Sequence, residues 1–474
     1  MKIDTQMKRN ILPFSIIGAS LIVRLVLIDS IEFVNPDGAT YLRYDLLVYT
    51  QRLPFFPMLI NTVALLGLDR LLAAKLIASL AAVGAMGVAM KAATEIGLEK
   101  QRAWLAALPL AVDPLFILHT VQPLTEGVFV LCAALATWFT LRFSRANKWT
   151  DLFGLLFCAG LAAFTRAEGL VFIPVMVWGL IRFMRQKDEW KEIPPILLGL
   201  FPWLLIIVWQ LGIVGRAGYF AEFGVSVADA SVIAVLARGA RHLFGIGMHL
   251  MVIGLVPLLI GIFHWRILWR MTPMMRRNGM LLIYLLLAGW LGISIHWTFD
   301  LRFSTMLVFW LSLPIGLGLR RWLTGGPVRK RMAQAMMMAM FIAGLGLAIS
   351  LVAGMQRIGW EIQLSAEAVN HQPATLPVLA DEQAMTSYHL GRLALPYKRD
   401  VPFSRSLVIL RDRYTNPDQE RLALDAQFEI NTLKQIEVED ARGETRRAEV
   451  WLISRRVETP VASPSTIEAN APGD

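Results

Sequence analysis

The chain has 474 residues, of which 56% are hydrophobic and 17% are charged, and its mean hydropathy is +0.53. A soluble globular chain carries about 25% charged residues, so this composition argues against a soluble protein and indicates a membrane protein. The net charge of +10 does not indicate a nucleic-acid-binding protein, because the basic excess lies in short connections between apolar runs. The lipid bilayer is therefore an expected partner and nucleic acid is not.

The first 355 residues contain a series of apolar runs, several of which approach or exceed the roughly 18 residues needed to cross the hydrocarbon core. Residues 1–355 are therefore predicted to be a transmembrane domain of about eleven helices. Residues 57–68 allow two interpretations, since they either cross the membrane or lie along its surface. The predicted spans lie near 11–29, 57–68 with 70–94, 103–120, 123–143, 152–165, 168–184, 194–214, 244–264, 280–297, 303–319 and 333–355.

Basic residues mark alternate connections between these spans, near residues 2–9, 100–102, 142–148, 182–191, 266–277 and 320–331. By the positive-inside rule these six connections lie in the cytoplasm. The N-terminus is then cytoplasmic and the C-terminal part is extracytoplasmic, as in a multi-pass protein of a bacterial inner membrane. The first span has a basic flank but no small-x-small cleavage site, so we expect it to remain uncleaved.

The residues after the last predicted span differ in character. Residues 357–474 carry 14 basic and 18 acidic residues, whereas the residues before them have a net charge of +14. The segments LPVLADEQAMTSYHLGRL, SLVILRD and AEVWLISRR are typical of strands, the first running into a helix. We expect residues 356–458 to form a small extracytoplasmic α/β domain and the Pro/Ala/Ser-rich tail, 459–474, to be disordered.

The stretch NPDGATYLRYD places polar side chains at the outer end of the first span. Asn35 and Pro36 favour a helix start, because Asn caps a helix and Pro fits its first position. Asp37 and Tyr41 then lie on one face of this helix. Asp37 either complements the positive helix end or takes a proton from a substrate hydroxyl, and the two roles are compatible. Arg43 is either an interfacial anchor or a ligand contact.

Two further outer connections carry charged residues. In HTVQPLTEG, Glu126 opens a span, where it is either a helix-dipole partner or a site residue. In TRAEGL, Arg166 and Glu168 stand in a tight turn between two apolar segments. Either they pair with each other, because unpaired charges at that depth cost several kcal/mol, or Arg166 faces an anionic lipid phosphate, whose oxygens match its planar fork.

The connection HWTFDLRFS places Arg302 at the start of another span, as a second candidate partner for phosphate. A long outer connection contains Arg216, Arg238, Arg241 and His242, which either gather anionic headgroups or anchor the loop. Asp113 precedes a proline within an apolar run and is expected to cap a helix that resumes after a break. The sequence contains no zinc spacing, P-loop, GxSxG or Rossmann fingerprint. The functional signal is thus the collection of polar residues on one predicted face.

Three stretches together resemble the GT-C class of polytopic membrane glycosyltransferases: PDGATYLRYDLL with RLPFFPMLI, QPLTEGVFVLCAALATWFTLRF, and GLAAFTRAEGLVFIPVMVWGL. They look most like bacterial relatives of the protein O-mannosyltransferases and the lipid A aminoarabinose transferases. The resemblance follows order and spacing from residue 1 to about residue 320. It implies a GT-C-like fold and a polyprenyl-phosphate sugar donor used on the outer face of the membrane.

The resemblance also implies roles for individual residues. Asp37 matches the family's acidic residue that is catalytic or binds the acceptor, and it would act as general base in an inverting transfer to a hydroxyl. Arg166 and Arg302 would bind the departing phosphate. Many relatives have Asp-Glu where this chain has Asp37-Gly38, so paired carboxylates for a divalent metal are missing here and no metal ligand is predicted. The expected substrate-binding residues are Tyr41, Arg43, Glu126, Arg166, Glu168 and Arg302.

Two other functions remain open. A membrane transporter or lipid flippase would also be polytopic, but it would place ionisable residues near mid-membrane and show related halves. A non-catalytic membrane scaffold would use the outer domain to bind a partner. The sequence identifies neither the sugar nor the acceptor, which is a lipid, a glycan or a protein at the cell surface.

Overall fold

The computed structural model describes residues 2–31, 36–43, 53–185, 193–209, 231–271, 273–295, 301–355, 360–381, 383–390, 393–398, 401–411, 416–425, 427–439 and 445–456. The chain divides into two compact units, residues 1–358 and residues 359–474. In its described part the first unit is helical, and the second combines helices with one sheet. The predicted disordered tail, 459–474, lies outside the described residues.

The helices of the first unit fall into two runs. The first run is α1 (Lys2–Ser30), α2 (Pro36–Leu42), α3 (Phe55–Ala64), α4 (Arg70–Glu95), α5 (Leu108–Val112), α6 (Pro114–Thr120), α7 (Glu126–Ala146), α8 (Trp149–Thr165) and α9 (Ile173–Met184). The second run is α10 (Ile193–Leu198), α11 (Phe201–Trp209), α12 (Val232–Ile253), α13 (Leu255–Met271), α14 (Pro273–Ile295), α15 (Val308–Leu323) and α16 (Pro327–Ala353). Short 3₁₀ helices, Lys100–Ala106, Ala167–Phe172 and Leu301–Leu307, precede α5, α9 and α15.

Several of these helices are long and apolar enough to cross a membrane. Within the described residues there are six, or eight if each of two bent helix pairs forms one span. The predicted helical fold, with helices able to span a membrane, is thereby confirmed, whereas the count of eleven spans and their topology stay predictions. The six are Arg70–Glu95, Glu126–Ala146, Ala167–Met184, Pro273–Ser294, Arg302–Leu323 and Pro327–Ala353.

The two bent pairs have different local causes. α5 and α6 meet at 70° around Asp113, whose carboxylate accepts a 2.7 Å hydrogen bond from the Phe116 N–H, so the predicted cap after a helix break is confirmed. α12 and α13 meet at 97° around Gly254, which has a φ of +104° that glycine adopts without strain. The span predicted near 244–264 is thus bent at Gly254, and whether the bent pair crosses the membrane stays a prediction.

The helix α15 is the centre of the first unit. Almost all of its side chains from Val308 to Leu319 are buried, whereas α16 exposes large apolar side chains along much of its length. Helix pairs α4/α7, α7/α8 and α13/α15 make the most extensive contacts. Cys132 on α7 and Cys158 on α8 are buried free thiols, as expected. The central position of α15 matters because the 3₁₀ helix at its N-terminal end carries a candidate site residue.

The second unit is built on a five-stranded mixed sheet of order β2-β1-β3-β5-β4. β1 runs parallel to β2 and β3, whereas β5 runs antiparallel to β3 and β4. The three strand-like segments predicted from the sequence correspond to β1, β3 and β5, and the helix predicted after β1 is α18. The elements are α17 (Trp360–Asn370), β1 (Val378–Ala380), α18 (Gln383–Leu390), β2 (Leu395–Pro396), β3 (Arg405–Arg411), α19 (Pro417–Asp425), β4 (Phe428–Glu439) and β5 (Thr445–Arg455).

Alternating side chains of this sheet form two separate apolar layers. Leu407, Ile409 and Val450 pack with residues of α17 on one face, and Val408 and Trp451 pack with Phe428 on the other. The strand β4 forms one edge of the sheet and was not predicted. Its exposed positions carry the charged residues Glu429, Lys434, Glu437 and Glu439.

Candidate active site

Helix ends of the first unit bring four of the predicted site residues together. Asp37 stands in the first turn of α2, as expected for a helix that begins at Pro36. Glu126 is the first residue of α7, and Arg166 directly follows α8. Arg302 lies on the 3₁₀ helix before α15. These termini come from parts of the chain that are up to 265 residues apart.

The charged groups of these residues form a continuous chain of ion pairs. Arg302 pairs with the carboxylate of Asp37 through its Nη2. The Nε of Arg302 lies 4.0 Å from Oε1 of Glu126, and the Nη1 of Arg166 lies 3.1 Å from the same oxygen. Arg166 also pairs with Glu168. The carboxylate of Glu126 therefore lies between two guanidinium groups.

The guanidinium group of Arg166 is largely occupied by protein groups. It donates two hydrogen bonds to Glu168, at 3.1 and 3.3 Å, and one each to Thr125 and Glu126 at 3.1 Å. These bonds use four of its five N–H donors. Of the two interpretations left open by the sequence, the structure contains the Arg166–Glu168 pair. A phosphate could accept a pair of hydrogen bonds from Arg166 only by replacing at least one of these acceptors.

Burial divides the cluster into an accessible side and an enclosed side. The side chains of Asp37 and Arg302 are 13% and 16% exposed, whereas that of Glu126 is fully buried. Oε2 of Glu126 is also buried and makes no hydrogen bond within the described residues. A substrate can therefore approach Asp37 and Arg302 more readily than the other members of the cluster.

An aromatic ring supports both cations. The guanidinium carbons of Arg166 and Arg302 each lie 5.2 Å from the ring centroid of Phe303, within the range of a cation–π contact. Phe303 is itself 2% exposed. Sequence reasoning missed Phe303 and Thr125, and the only signal for either was its position next to a charged candidate.

Two glycines allow the site elements to approach their neighbours. A Cβ on Gly127 would lie 2.2 Å from the carbonyl oxygen of Ala78 on α4, and a Cβ on Gly169 would lie 2.3 Å from the backbone nitrogen of Ala163 on α8. Any larger residue would force these segments apart. The glycines of TEG and RAEG are thus packing requirements that hold Glu126 and Arg166 in place.

A second buried hydrogen-bond network includes Ser304 on the same 3₁₀ helix. The sequence analysis did not predict it. The Nδ1 of His249 lies 2.6 Å from the carboxylate of Asp113, and its Nε2 lies 2.8 Å from the hydroxyl of Ser304. All three residues are fully or almost fully buried. Because Ser304 is two residues from Arg302, this network ties the segment that carries Arg302 to the break between α5 and α6.

The remaining predicted residues occupy different surroundings. Tyr41 is buried and packs edge-on against Phe56, with ring centroids 5.5 Å apart. Arg43 follows the end of α2, where its backbone N–H donates to Ala39. Their roles in substrate binding stay predictions.

Three of the four residues predicted to gather headgroups on a long loop lie on a helix instead, and the fourth, Arg216, lies outside the described residues. Arg238, Arg241 and His242 belong to α12, which begins at Val232. Arg238 donates to the backbone oxygen of Ser294, and the buried ring of His242 lies 6.4 Å from that of Phe303. The loop interpretation was wrong for these residues, because an apolar run with few breakers formed a helix through them.

The described part of the site was compared with the side-chain groupings that bind metal ions. Within the described residues there is no group of three or more His, Cys, Asp or Glu side chains that could hold a metal ion. The carboxylates of Asp37, Glu126 and Glu168 are each paired with an arginine.

Comparisons with known proteins identify similar folds. Residues 51–213 match the family described as dolichyl-phosphate-mannose-protein mannosyltransferase. The structure resembles ArnT from Cupriavidus metallidurans bound to undecaprenyl phosphate, with a TM-score of 0.63 and 13% identity over 93% of this chain and 98% of that chain. No curated protein matches the chain significantly.

A second solved structure has a similar fold. It is the oligosaccharyltransferase AglB from Archaeoglobus fulgidus in complex with an inhibitory peptide and a dolichol-phosphate, with a TM-score of 0.56 and 11% identity. The match covers 92% of this chain and 74% of that chain. The protein thus has the fold of the GT-C glycosyltransferases, and the resemblance found in its sequence is confirmed at this level.

Proposed function

We propose that the protein is a membrane glycosyltransferase that moves a sugar from a polyprenyl-phosphate-linked donor to an acceptor hydroxyl, with inversion at the anomeric carbon. The observation that carries this proposal is the accessible Asp37–Arg302 pair at the edge of a buried charge cluster. Support for a lipid phosphate comes from the fold, since the similar ArnT and AglB structures hold undecaprenyl phosphate and dolichol-phosphate.

Arg302 is the proposed partner of the departing phosphate. As the sugar leaves, negative charge develops on the phosphate oxygens, and a guanidinium fork stabilises that charge through paired hydrogen bonds. Arg302 is more exposed than Arg166, which already donates to three protein side chains. The phosphate would therefore bind Arg302 in place of Asp37.

Asp37 is the proposed general base. Its carboxylate would accept the proton of the acceptor hydroxyl while that oxygen forms a bond to the anomeric carbon. The bond between the anomeric carbon and the phosphate oxygen breaks at the same time, and its electron pair leaves with the polyprenyl phosphate. Transfer of Arg302 from Asp37 to the phosphate would free the carboxylate for this role when the donor is bound.

Glu126, Arg166 and Glu168 are proposed to position the cluster. Three carboxylates and two arginines carry a net charge of −1 if all are ionised, so an added phosphate would be repelled unless it displaced a carboxylate. Asp37 is the carboxylate whose displacement disturbs the enclosed pairs least. Tyr41 and Arg43 complete the proposed substrate contacts.

The proposal includes a placement in the cell. About eleven spans with a cytoplasmic N-terminus would put the cluster on the periplasmic face of a bacterial inner membrane, where lipid-linked sugars replace nucleotide sugars as donors. Residues 1–355 would carry out transfer. Residues 356–458 would contribute to selection of a cell-surface lipid, glycan or protein acceptor.

The proposal is tested by incubating the purified full-length protein in nanodiscs with a panel of labelled polyprenyl-phosphate sugars and extracted cell-surface glycans. We expect transfer from at least one donor and a loss of about 10²–10⁴-fold in kcat for Asp37→Asn, since a general base contributes that much. Asp29→Asn, an exposed aspartate at the end of α1, is the matched control and should retain full activity.

Other outcomes would identify a different protein. Full transfer activity in Asp37→Asn would remove the base assignment. Movement of labelled lipid between leaflets, with no transfer from any donor, would identify a flippase.

A further inference from the structure

A basic cavity lies at the end of the first unit opposite to the candidate active site. It has a volume of about 720 Å³ and is bounded by the C-terminal parts of α4 and α7 and by the 3₁₀ helix at Lys100. Glu126 begins α7 and Arg145 stands in its last turn. A helix of 21 residues is about 30 Å long, so the cavity and the cluster are separated by roughly the thickness of the hydrocarbon core.

The lining of this cavity has an excess of positive charge. It contains Lys91, Lys100, Arg142 and Arg145 but only one acidic residue, Glu95. Arg145 is paired with Glu95 at 3.0 Å, and Arg142 is paired at 3.1 Å with Asp151, which lies outside the lining. The two remaining cations of the lining are Lys91 and Lys100. Among the described residues, neither Lys91 nor Lys100 has a carboxylate within ion-pairing distance, and both are exposed. Two ammonium groups are thus available to a ligand.

The walls between these cations are apolar and aromatic. The ammonium of Lys91 and the guanidinium of Arg142 lie 5.4 and 4.9 Å from the ring of Trp138. Trp104 and Phe14 complete the opening, and Phe14 is 70% exposed. Tryptophan is enriched at membrane interfaces, where one part of the ring is apolar and the other is hydrated. A ligand here would have a negatively charged head and an apolar body.

We propose that this cavity binds the headgroup of an anionic glycerophospholipid from the leaflet opposite to the candidate active site. The lipid phosphate binds between Lys91 and Lys100, and the acyl chains follow the apolar wall past Phe14 into the membrane. Basic pockets between transmembrane helices on one side of a membrane recognise anionic lipids in this way. A soluble phosphate would use the same ammonium groups but would gain nothing from the apolar wall.

The test measures lipid binding to the full-length protein in a zwitterionic detergent. Phosphatidylglycerol, phosphatidylcholine and inorganic phosphate are added separately, and bound lipid is counted by native mass spectrometry while thermal stability is followed. We expect phosphatidylglycerol to bind and to raise Tm, whereas phosphatidylcholine and inorganic phosphate have little effect. The double variant Lys91→Gln/Lys100→Gln should bind phosphatidylglycerol at least about tenfold more weakly, because each cation near an anionic lipid contributes to binding.

A matched control removes two cations from the same end of the unit but outside the cavity. Glu99 pairs with Arg320 in the last turn of α15, which places that end of α15 and the start of α16 beside the cavity end of α4. The variant Arg329→Gln/Lys330→Gln, at exposed positions of α16, should bind phosphatidylglycerol like the wild type. Equal losses in both double variants, or an equal effect of inorganic phosphate, would overturn the proposal. All four lysine and arginine positions are exposed, so these variants are expected to fold.

Discussion

At the scale of single residues, the ion pair between Asp37 and Arg302 is the part of the candidate site that a substrate would meet first. The two side chains form an ion pair at the accessible side of the cluster. In the proposed mechanism, a donor phosphate and Asp37 compete for the guanidinium group of Arg302. This competition separates two possible roles of Asp37, because a competitor and a positioning group have opposite effects on donor binding.

We predict that Asp37→Asn binds undecaprenyl phosphate several-fold more tightly than the wild type while losing transfer activity. The neutral amide would no longer compete with the phosphate for Arg302, and it would remove a like charge from the cluster. Arg302→Gln should weaken the binding instead. The measurement is the binding of fluorescently labelled undecaprenyl phosphate to the two purified variants and to the control Asp29→Asn. Weaker binding in Asp37→Asn would show instead that Asp37 positions Arg302.

At the scale of secondary-structure elements, the site depends on how closely α7 packs against α4. The start of α7 carries Glu126, and the following Gly127 lets the backbones of the two helices touch. Helix packing therefore sets the position of the carboxylate that lies between Arg166 and Arg302. A change in the contact between α4 and α7 should therefore alter both the transfer activity and the stability of the protein.

We predict that Gly127→Ala lowers both Tm and the transfer rate. The added Cβ would lie 2.2 Å from the backbone oxygen of Ala78, and because a backbone atom cannot move aside alone, α7 must shift. Gly346→Ala is a matched control within the exposed face of α16, where nothing lies within 4 Å of the new Cβ. It should leave activity unchanged and Tm unchanged or slightly higher, since Ala favours a helix over Gly. Equal behaviour of the two variants would contradict a packing role for Gly127.

At the scale of the whole molecule, the second unit should respond to pH separately from the first. His389 in the last turn of α18 is half-buried, and burial lowers its pKa to about 4 from an ordinary value of 6.5, although Glu367 on α17 partly opposes this shift. Above pH 6.5 the histidine is neutral in both the folded and the unfolded chain. Between pH 6.5 and 4 the unfolded chain takes up a proton that the folded unit does not, so acid favours unfolding.

We predict that the stability of this unit falls by up to about 1.4 kcal/mol per pH unit from pH 6.5 towards 4 through His389. In His389→Gln this contribution should be absent, since the side chain is neutral throughout. Hydrogen exchange of β5 in the full-length protein at pH 7 and pH 5, corrected for the intrinsic rate, measures the difference. Equal pH dependence in the wild type and the variant would exclude His389 as its source.

The sequence predicted those parts of the molecule that depend on local chemistry. Asp37 and Glu126 were found because acidic residues at helix starts have a local signature, and the strands β1, β3 and β5 were found because their apolar runs are short and bounded. The break at Asp113 was predicted from the following proline. These local signatures identified most of the residues of the cluster, whereas the GT-C-like fold was predicted from the resemblance of three stretches to that class.

The parts that sequence reasoning missed depend on distant contacts. His249 is 136 residues from Asp113 and 55 from Ser304, and no local pattern joins them. The bend at Gly254 lies inside an apolar run. The helical pattern of 3.6 residues per turn fits this run on both sides of the glycine, so it gives no signal of the bend. The strand β4 was overlooked because its charged residues dilute the hydrophobic signal of an edge strand.

The charged residues of β4 restrict how the second unit could bind an acceptor, the role proposed for it above. An edge strand has unpaired backbone N–H and C=O groups that can bind another strand, unless charged side chains, prolines or a short strand length prevent it. β4 carries four exposed ionisable side chains, and β2, at the opposite edge, has two residues of which one is Pro396. An extended polypeptide acceptor would thus gain little by adding itself as a sixth strand to this domain, and recognition through side chains on its faces or loops is favoured instead.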